Sequence, residues 1–454
     1  MLARFFVAAV AASMLASPAQ PIAAAPPRVV KASPDNGNAD VDPATRELRI
    51  TFDQPMDPGG RSIVGGGETF PELIGQPRWR DGNRTFVMRL KLQPEHDYWL
   101  SINNQRFTNF RNRAGEPAVP YPIAFRTAAA GAANDLPGAE QADDAAANLE
   151  AYEIARDAVE NAYSYRDRLD VDWGQRFEAA RKRLIDAKSP QDFAKRLAMV
   201  LAKAEDKHVW LTVEGQHVPS FVRPAVPNAN FKLLPRLVPK WQMHGKHLAT
   251  GDWGDGVKYL AVDNWTQSGV ADDLGAALAA VQDAQGLIID VRSNGGGDER
   301  LAQQVAGCFT DERLLYGKNV YRDPQSPTGF TDPPYERWLE PNAEGPRIKA
   351  KAVVLTGPVV MSSCESFLLM MKAAGATLVG DRSQGSSGNP KPHDLGNGVV
   401  LFLPSWKDMT PAGDELEGVG IPPDVPVKAT ARDFQRGDPV LEAALKLLRK
   451  PSER

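Results

Sequence analysis

The sequence predicts a multidomain chain: a small all-β sandwich, then a helical block, then a larger α/β core. Three observations carry that reading. Apolar residues recur with period two between Pro27 and Thr127, and with period 3.6 over about 148–211. From Val257 onward, short apolar strands alternate with helical stretches, the pattern of a mixed, mostly parallel sheet covered by helices.

Taken in order, residues 1–25 place Arg4 before an apolar run from Phe5 to Leu15, with small residues following. That is the layout of a signal peptide, too short to span a bilayer, so a periplasmic or secreted protein is expected. In 27–127, Leu48, Ile50 and Phe52, then Phe86, Met88, Leu90 and Leu92, then Tyr98, Leu100 and Ile102 alternate with polar partners, separated by turn clusters such as Asp81-Gly-Asn83. Residues 128–147 are rich in Ala, Gly and acid and read as a linker.

Residues 148–211 form the helical block. Tyr152, Ala155 and Val159 line one helix face, and Trp173, Phe177, Ala180 and Leu184 another. Ser189-Pro190 opens a third helix that carries Phe193, Leu197, Val200 and Leu201 inward. Residues 212–450 contain the apolar strands VKYLAV, GLIIDV, KAVVL, ATLVG and VVLFL and end in the helix PVLEAALKLLRK.

Composition limits function. Lys+Arg 53 against Asp+Glu 57 leaves a net charge of −4, which gives no electrostatic reason for a nucleic-acid or anionic-membrane partner. No later segment is apolar enough for a membrane helix. Two cysteines, Cys308 and Cys364, rule out a disulfide-stapled fold and a zinc site built on several thiolates. No cofactor and no metal are expected. Cys364 reads as a small buried hydrophobe rather than a nucleophile. His244 and His247 form an H-x-x-H pair, but Gly245 interrupts helical continuity and no third ligand is evident, so a surface loop is expected.

Two stretches can carry chemistry. GLIIDVRSNGGG (286–297) runs a buried strand into three glycines and then a helix, a turn that exposes backbone N–H groups to a negative oxygen. No Gly-Lys-Ser/Thr follows, which argues against a nucleotide loop. VVLTGPVVMSSCESF (353–367) leads a strand through a Gly-Pro turn to Ser362 and Ser363 at a helix start. A serine there is held as on a nucleophile elbow. The competing reading is an ordinary N-cap, with Glu365 completing a capping box.

In combination, DVRSNGGG, SSCE, GDRSQGSSG and LEGVGIPPDVPV resemble the tail-specific (C-terminal processing) serine peptidase family over about residues 148–450. The stretch SPDNGNADVDPATRELRITFDQPM resembles the start of bacterial immunoglobulin-like domains of exported proteins. The implied architecture is an N-terminal all-β Ig-like sandwich, then an α-helical cap and an α/β ClpP/crotonase-like peptidase core. The resemblance implies Ser362 as nucleophile, with an oxyanion hole from the N–H of Ser363 and from Gly297 in preference to Gly296. Many members use a lysine twenty-five residues after the nucleophile; here that position is Ser387. Lys391 lies nearby without motif support. The tricorn-like branch instead uses a histidine and a glutamate, implying His208 in AEDKHVWL and Glu417 in Glu417-Gly-Val-Gly-Ile-Pro-Pro-Asp424.

A serine–histidine–glutamate set is chemically coherent, since an imidazole can take the seryl proton and pass it to the leaving amine. The expected enzyme is an exported serine-type peptidase acting on proteins or peptides. The alternative is an inactive peptide- or hydrophobic-ligand-binding protein on the same scaffold, kept open by Ser387. Residues Thr212 to Gly256 number 45, too few for the peptide-binding PDZ domain that many members insert there. An extended peptide would then be received at a sheet edge or at the β-sandwich, and the Ig-like domain is the expected contact for an envelope partner.

Overall fold

A computed structural model describes residues 26–104, 106–128, 139–223, 225–430 and 432–449. The expected signal peptide, residues 1–25, lies outside the described residues.

The period-two segment folds as two facing sheets. One contains Val29–Ser33, Glu47–Phe52, Thr85–Lys91 and Glu72–Leu73, with Arg78–Arg80 also on Thr85–Lys91. The other contains Asn38–Val41, Tyr121–Thr127, Asp97–Ile102 and Ile63–Val64. The expected inward residues of all three runs, Leu48 through Ile102, are buried in one core between the sheets.

The linker expected over 128–147 is helical in its second part, because a helix runs Ala139–Asn161. Its alanines and glutamates are good helix formers, and its later turns have a packed face through Ala151, Tyr152 and Ala155. Helices Trp173–Ile185 and Pro190–Leu201 follow. Asp172 caps the first by accepting the Gln175 N–H (2.9 Å), and Ser189 caps the second by accepting the Asp192 N–H (3.1 Å). Their apolar faces meet Leu211, Val213, Val399, Leu401 and Leu403.

Those last residues belong to an antiparallel sheet ordered Gln216–Pro219, Trp210–Val213, Val399–Pro404, Pro390–Asp394. VVLFL therefore departs from the expected main sheet. Its alternating burial suits a strand with one face on the helices, and its partner is 190 residues away in sequence, at Trp210–Val213. The helical block and the core are thus joined through a strand that straddles the expected boundary at 211/212.

The main sheet has seven strands, ordered Gln242–His244, Leu248–Asp252, Val257–Val262, Gly286–Asp290, Lys351–Thr356, Thr377–Gly380, Val425–Pro426. The first three are antiparallel neighbours and the remaining pairings are parallel. Helices Asp272–Val281, Glu299–Ala306 and Ser363–Ala373 cover one face, and Pro439–Arg449 covers the other. Among the described residues, the stretch between 212 and 256 contains the strand Gln216–Pro219, the single helical turn Leu234–Leu237 and the edge strands Gln242–His244 and Leu248–Asp252. Among the described residues, no helix is long and apolar enough to cross a membrane.

Candidate active site

Strands Gly286–Asp290 and Lys351–Thr356 are adjacent, parallel and in register, with Asp290 opposite Leu355. The chain leaves both at the same end, which brings the two chemistry-bearing stretches together at the carboxyl edge of the sheet. The fully buried Arg292 anchors this edge, donating to Asp290 (2.9 and 2.7 Å), Asp438 (2.9 and 2.8 Å) and the Asn228 carbonyl (2.8 Å).

In the glycine turn, buried Asn294 accepts the Gly296 N–H at 2.8 Å, and the Gly296 carbonyl accepts the Trp265 N–H at 3.0 Å. Asp298 then caps the next helix through the Arg300 N–H. Gly296 has φ +103°, and a Cβ on it would lie 2.7 Å from Ser362 Cβ and 3.3 Å from its Oγ. Only glycine permits that approach.

Ser362 has φ 58° and ψ −135°, a conformation rare for a residue with a Cβ. The fold holds it there: its N–H donates to the Ser386 carbonyl (2.7 Å) and its carbonyl accepts the Glu365 N–H (2.8 Å). Its hydroxyl makes no cap bond, and it is only half-buried. The capping-box reading therefore does not describe this turn. Glu365 instead turns away to accept Ser383 Oγ–H (2.5 Å) and the N–H groups of Gly385 (2.8 Å) and Ser386 (3.0 Å). Ser363 Oγ donates to the Gly297 carbonyl at 3.0 Å, which ties the two turns together. The N–H groups of Gly297 and Ser363 have no acceptor among the described residues, whereas that of Gly296 is taken by Asn294.

His208 follows the helical block and is 4% exposed. Its Nδ1 lies 2.8 Å from Ser386 Oγ, and its backbone N–H donates to Asp206 Oδ1 (2.8 Å). Burial, and then the Lys207 ammonium, pull the imidazole down to about 4. Glu417 is 3% exposed; its Oε2 accepts the Ser387 N–H (2.9 Å), while Oε1 has no hydrogen-bond partner among the described residues. Burial, and then the nearby Asp206 carboxylate, push Glu417 well above the usual carboxylate range. Ligand atoms of Asp206, His208 and Glu417 lie within 4.8 Å of one another.

Ser362, Ser363, Gly296 and Gly297 are in direct contact, and His208 and Glu417 lie together with Asp206; among the described residues no hydrogen bond joins His208 to Ser362 or to Glu417, and the links run through residues that sequence reasoning missed. Ser386 links the Ser362 backbone to the His208 ring, and Glu365, raised to about 7 by burial, holds the loop that carries Ser386. Asp206 holds the His208 backbone. In the GSSG motif the position expected to carry a lysine, Ser387, turns its hydroxyl to Asp408 (2.6 Å), while its neighbour Ser386 meets His208. Lys391 is exposed on the edge strand Pro390–Asp394. His244 Nε2 meets Thr250 Oγ1 and His247 Nδ1 meets Asp263, both in a hairpin. Cys364 is fully buried, and burial raises its thiol far above the usual range.

A strained serine at a strand-to-helix turn, free N–H donors beside it and a buried imidazole are the parts that serine-type acyl transfer requires. Residues 256–427 match the model of peptidase family S41, so the chain carries a domain of that family. It is 25% identical over 178 residues to the carboxy-terminal processing protease CtpB of Bacillus subtilis, an alignment covering 38% of this chain and 35% of that relative's length. It also resembles the crystal structure of a candidate peptidase from Parabacteroides merdae, with TM-score 0.58 and 25% identity, covering 67% of this chain and 97% of that one. Mature CPAF shares the fold at TM-score 0.51 and 13% identity, covering 67% and 97%.

Proposed function

We propose that this chain is an exported serine peptidase that hydrolyses peptide bonds of proteins or peptides. Ser362 Oγ attacks the scissile carbonyl carbon while His208 takes its proton. The C–N bond then breaks, the proton passes to the leaving amine, and water releases the acyl group from Ser362 by the same route. With Nδ1–H donating to Ser386 Oγ, Nε2 keeps the lone pair that acts as base. The N–H groups of Gly297 and Ser363 hold the oxyanion; losing one such donor typically costs about a hundred- to a thousand-fold in rate. Glu417, whose ligand atom lies within 4.8 Å of that of His208, is the acidic partner of the imidazole; burial favours its neutral form, so it stabilises the imidazolium only when ionised.

The observation that carries this reading is Ser362 at φ 58°, pressed against Gly296, with both neighbouring N–H groups unengaged. A fluorophosphonate probe is expected to label Ser362, mapped by peptide mass spectrometry, and His208→Ala is expected to abolish labelling and turnover with the fold intact by circular dichroism. Folded wild-type protein that stays unlabelled would favour the binding-protein alternative, which draws on the replacement of lysine by Ser387.

The same proposal includes a C-terminal processing activity, supported by the likeness to CtpB, and removal of residues 1–25 on export, followed by residence in the periplasm or outside the cell. It includes an immunoglobulin-like identity for the N-terminal sandwich, supported by its two-sheet core, and a docking role for that sandwich toward an envelope partner.

A further inference from the structure

We propose that Asp206, His208 and Glu417 form a binding site for one divalent transition-metal ion of the zinc class, and that filling it switches the peptidase site off. The switching part rests on the reading of His208 as base; the binding part does not.

Asp206 and His208 come from one segment and Glu417 from another some two hundred residues on, yet the three ligand atoms lie within 4.8 Å of one another and all three side chains are buried. One imidazole nitrogen and two carboxylate oxygens suit Zn²⁺, which binds such donors at about 2.0–2.2 Å, better than the all-oxygen preference of Ca²⁺ or Mg²⁺. The independent sign of a missing ligand is Glu417 Oε1. This oxygen is buried without a donor, while Oε2 is already held by the Ser387 N–H. A buried polar atom left unpaired is costly, and a cation supplies the partner.

The surroundings are those that orient metal ligands. Asp206 is held by the His208 N–H (2.8 Å) and by the Tyr163 hydroxyl (2.9 Å), each occupying one lone pair of a different oxygen. Ser386 Oγ holds the His208 ring at Nδ1, leaving Nε2 for coordination. Two facing buried carboxylates repel each other, and a dication between them removes that repulsion. An imidazole whose lone pair is given to a metal cannot accept the Ser362 proton, so occupancy and hydrolysis exclude each other.

The test is calorimetric titration of ZnCl₂ into the full chain in chelator-free buffer. One site per chain is expected, weakened at least about tenfold in Glu417→Gln, which keeps the shape and removes the charge. No binding, or equal binding by Glu417→Gln, overturns the site. Should that variant fail to fold, Co²⁺ added to wild type decides: a visible absorption band saturating at one equivalent and removed by EDTA supports the site, and a silent spectrum overturns it. In parallel, wild-type hydrolysis of a short peptide is expected to fall with the same midpoint and to return with EDTA. Binding without loss of hydrolysis overturns the switch, whereas binding by a protein that never cleaves counts against the peptidase reading alone.

Discussion

His208 shows how burial tunes a single residue. Its ring is desolvated and sits beside a lysine, so the folded value of about 4 lies below that of a free imidazole. The imidazole is thus neutral throughout the physiological range, and with His208 as the proposed base the acid limb of kcat/KM is expected near pH 4 rather than 6.5, read from a pH–rate profile. The stability consequence has a definite sign. Between about 4 and 6.5 the unfolded chain binds a proton at this position that the folded chain does not. This contribution is complete above 6.5 and is lost as pH falls through about 4. Glu365 acts oppositely, because burial raises it from 4.5 to about 7. Its contribution is complete below 4.5 and is lost as pH rises through 7. Urea denaturation of wild type and Glu365→Gln across pH 4–8 separates the two.

At the scale of elements, the site depends on two neighbouring strand ends keeping their register. Arg292 lies just beyond one of them and is clamped by Asp290 and by Asp438, which starts the C-terminal helix on the opposite face. Tyr259 adds a hydroxyl to Asp290 at 2.8 Å. Replacing the arginine leaves two buried carboxylates without a cation, so Arg292→Met is expected to cost about 3–5 kcal/mol, read from the urea midpoint. Loss of kcat is expected to accompany it, since the first of the three glycines, Gly295, lies three residues later. The strands, the glycine turn and the serine turn were all legible in the sequence, because each is a local pattern of apolar run, glycine and helix start. The role of Glu365 was not. Spacing alone made it a capping partner, and only the loop Ser383–Ser386 folded over it shows where its carboxylate goes.

Across the whole molecule, the β-sandwich rests on the helical block at a small polar seam. Arg176 donates to the Gly37 carbonyl (2.7 Å), Arg183 pairs with Asp40 (2.6 Å), and a Cβ on Gly37 would lie 2.4 Å from the Met199 carbonyl. The sandwich has its own core and contributes no residue to the site. A chain beginning at residue 139 is therefore expected to fold and to hydrolyse a short peptide with unchanged kcat/KM, measured against the longer chain. The helical block is different, because it shares a core with strands Trp210–Val213 and Val399–Pro404 and delivers His208. Its removal is expected to unfold the remainder, visible as loss of the cooperative thermal transition.

Periodicity and turn chemistry determined the β-sandwich, the capped helices, the alternating core and the candidate serine, because these depend on residues close together in the chain. Only the tertiary structure decided that VVLFL leaves the main sheet to cover the helices. It also showed Asn294 taking the Gly296 N–H, and it placed Ser386, Glu365 and Asp206 around Ser362, His208 and Glu417. Those outcomes are set by contacts between distant segments, where burial and hydrogen-bond competition select among partners that spacing leaves equivalent.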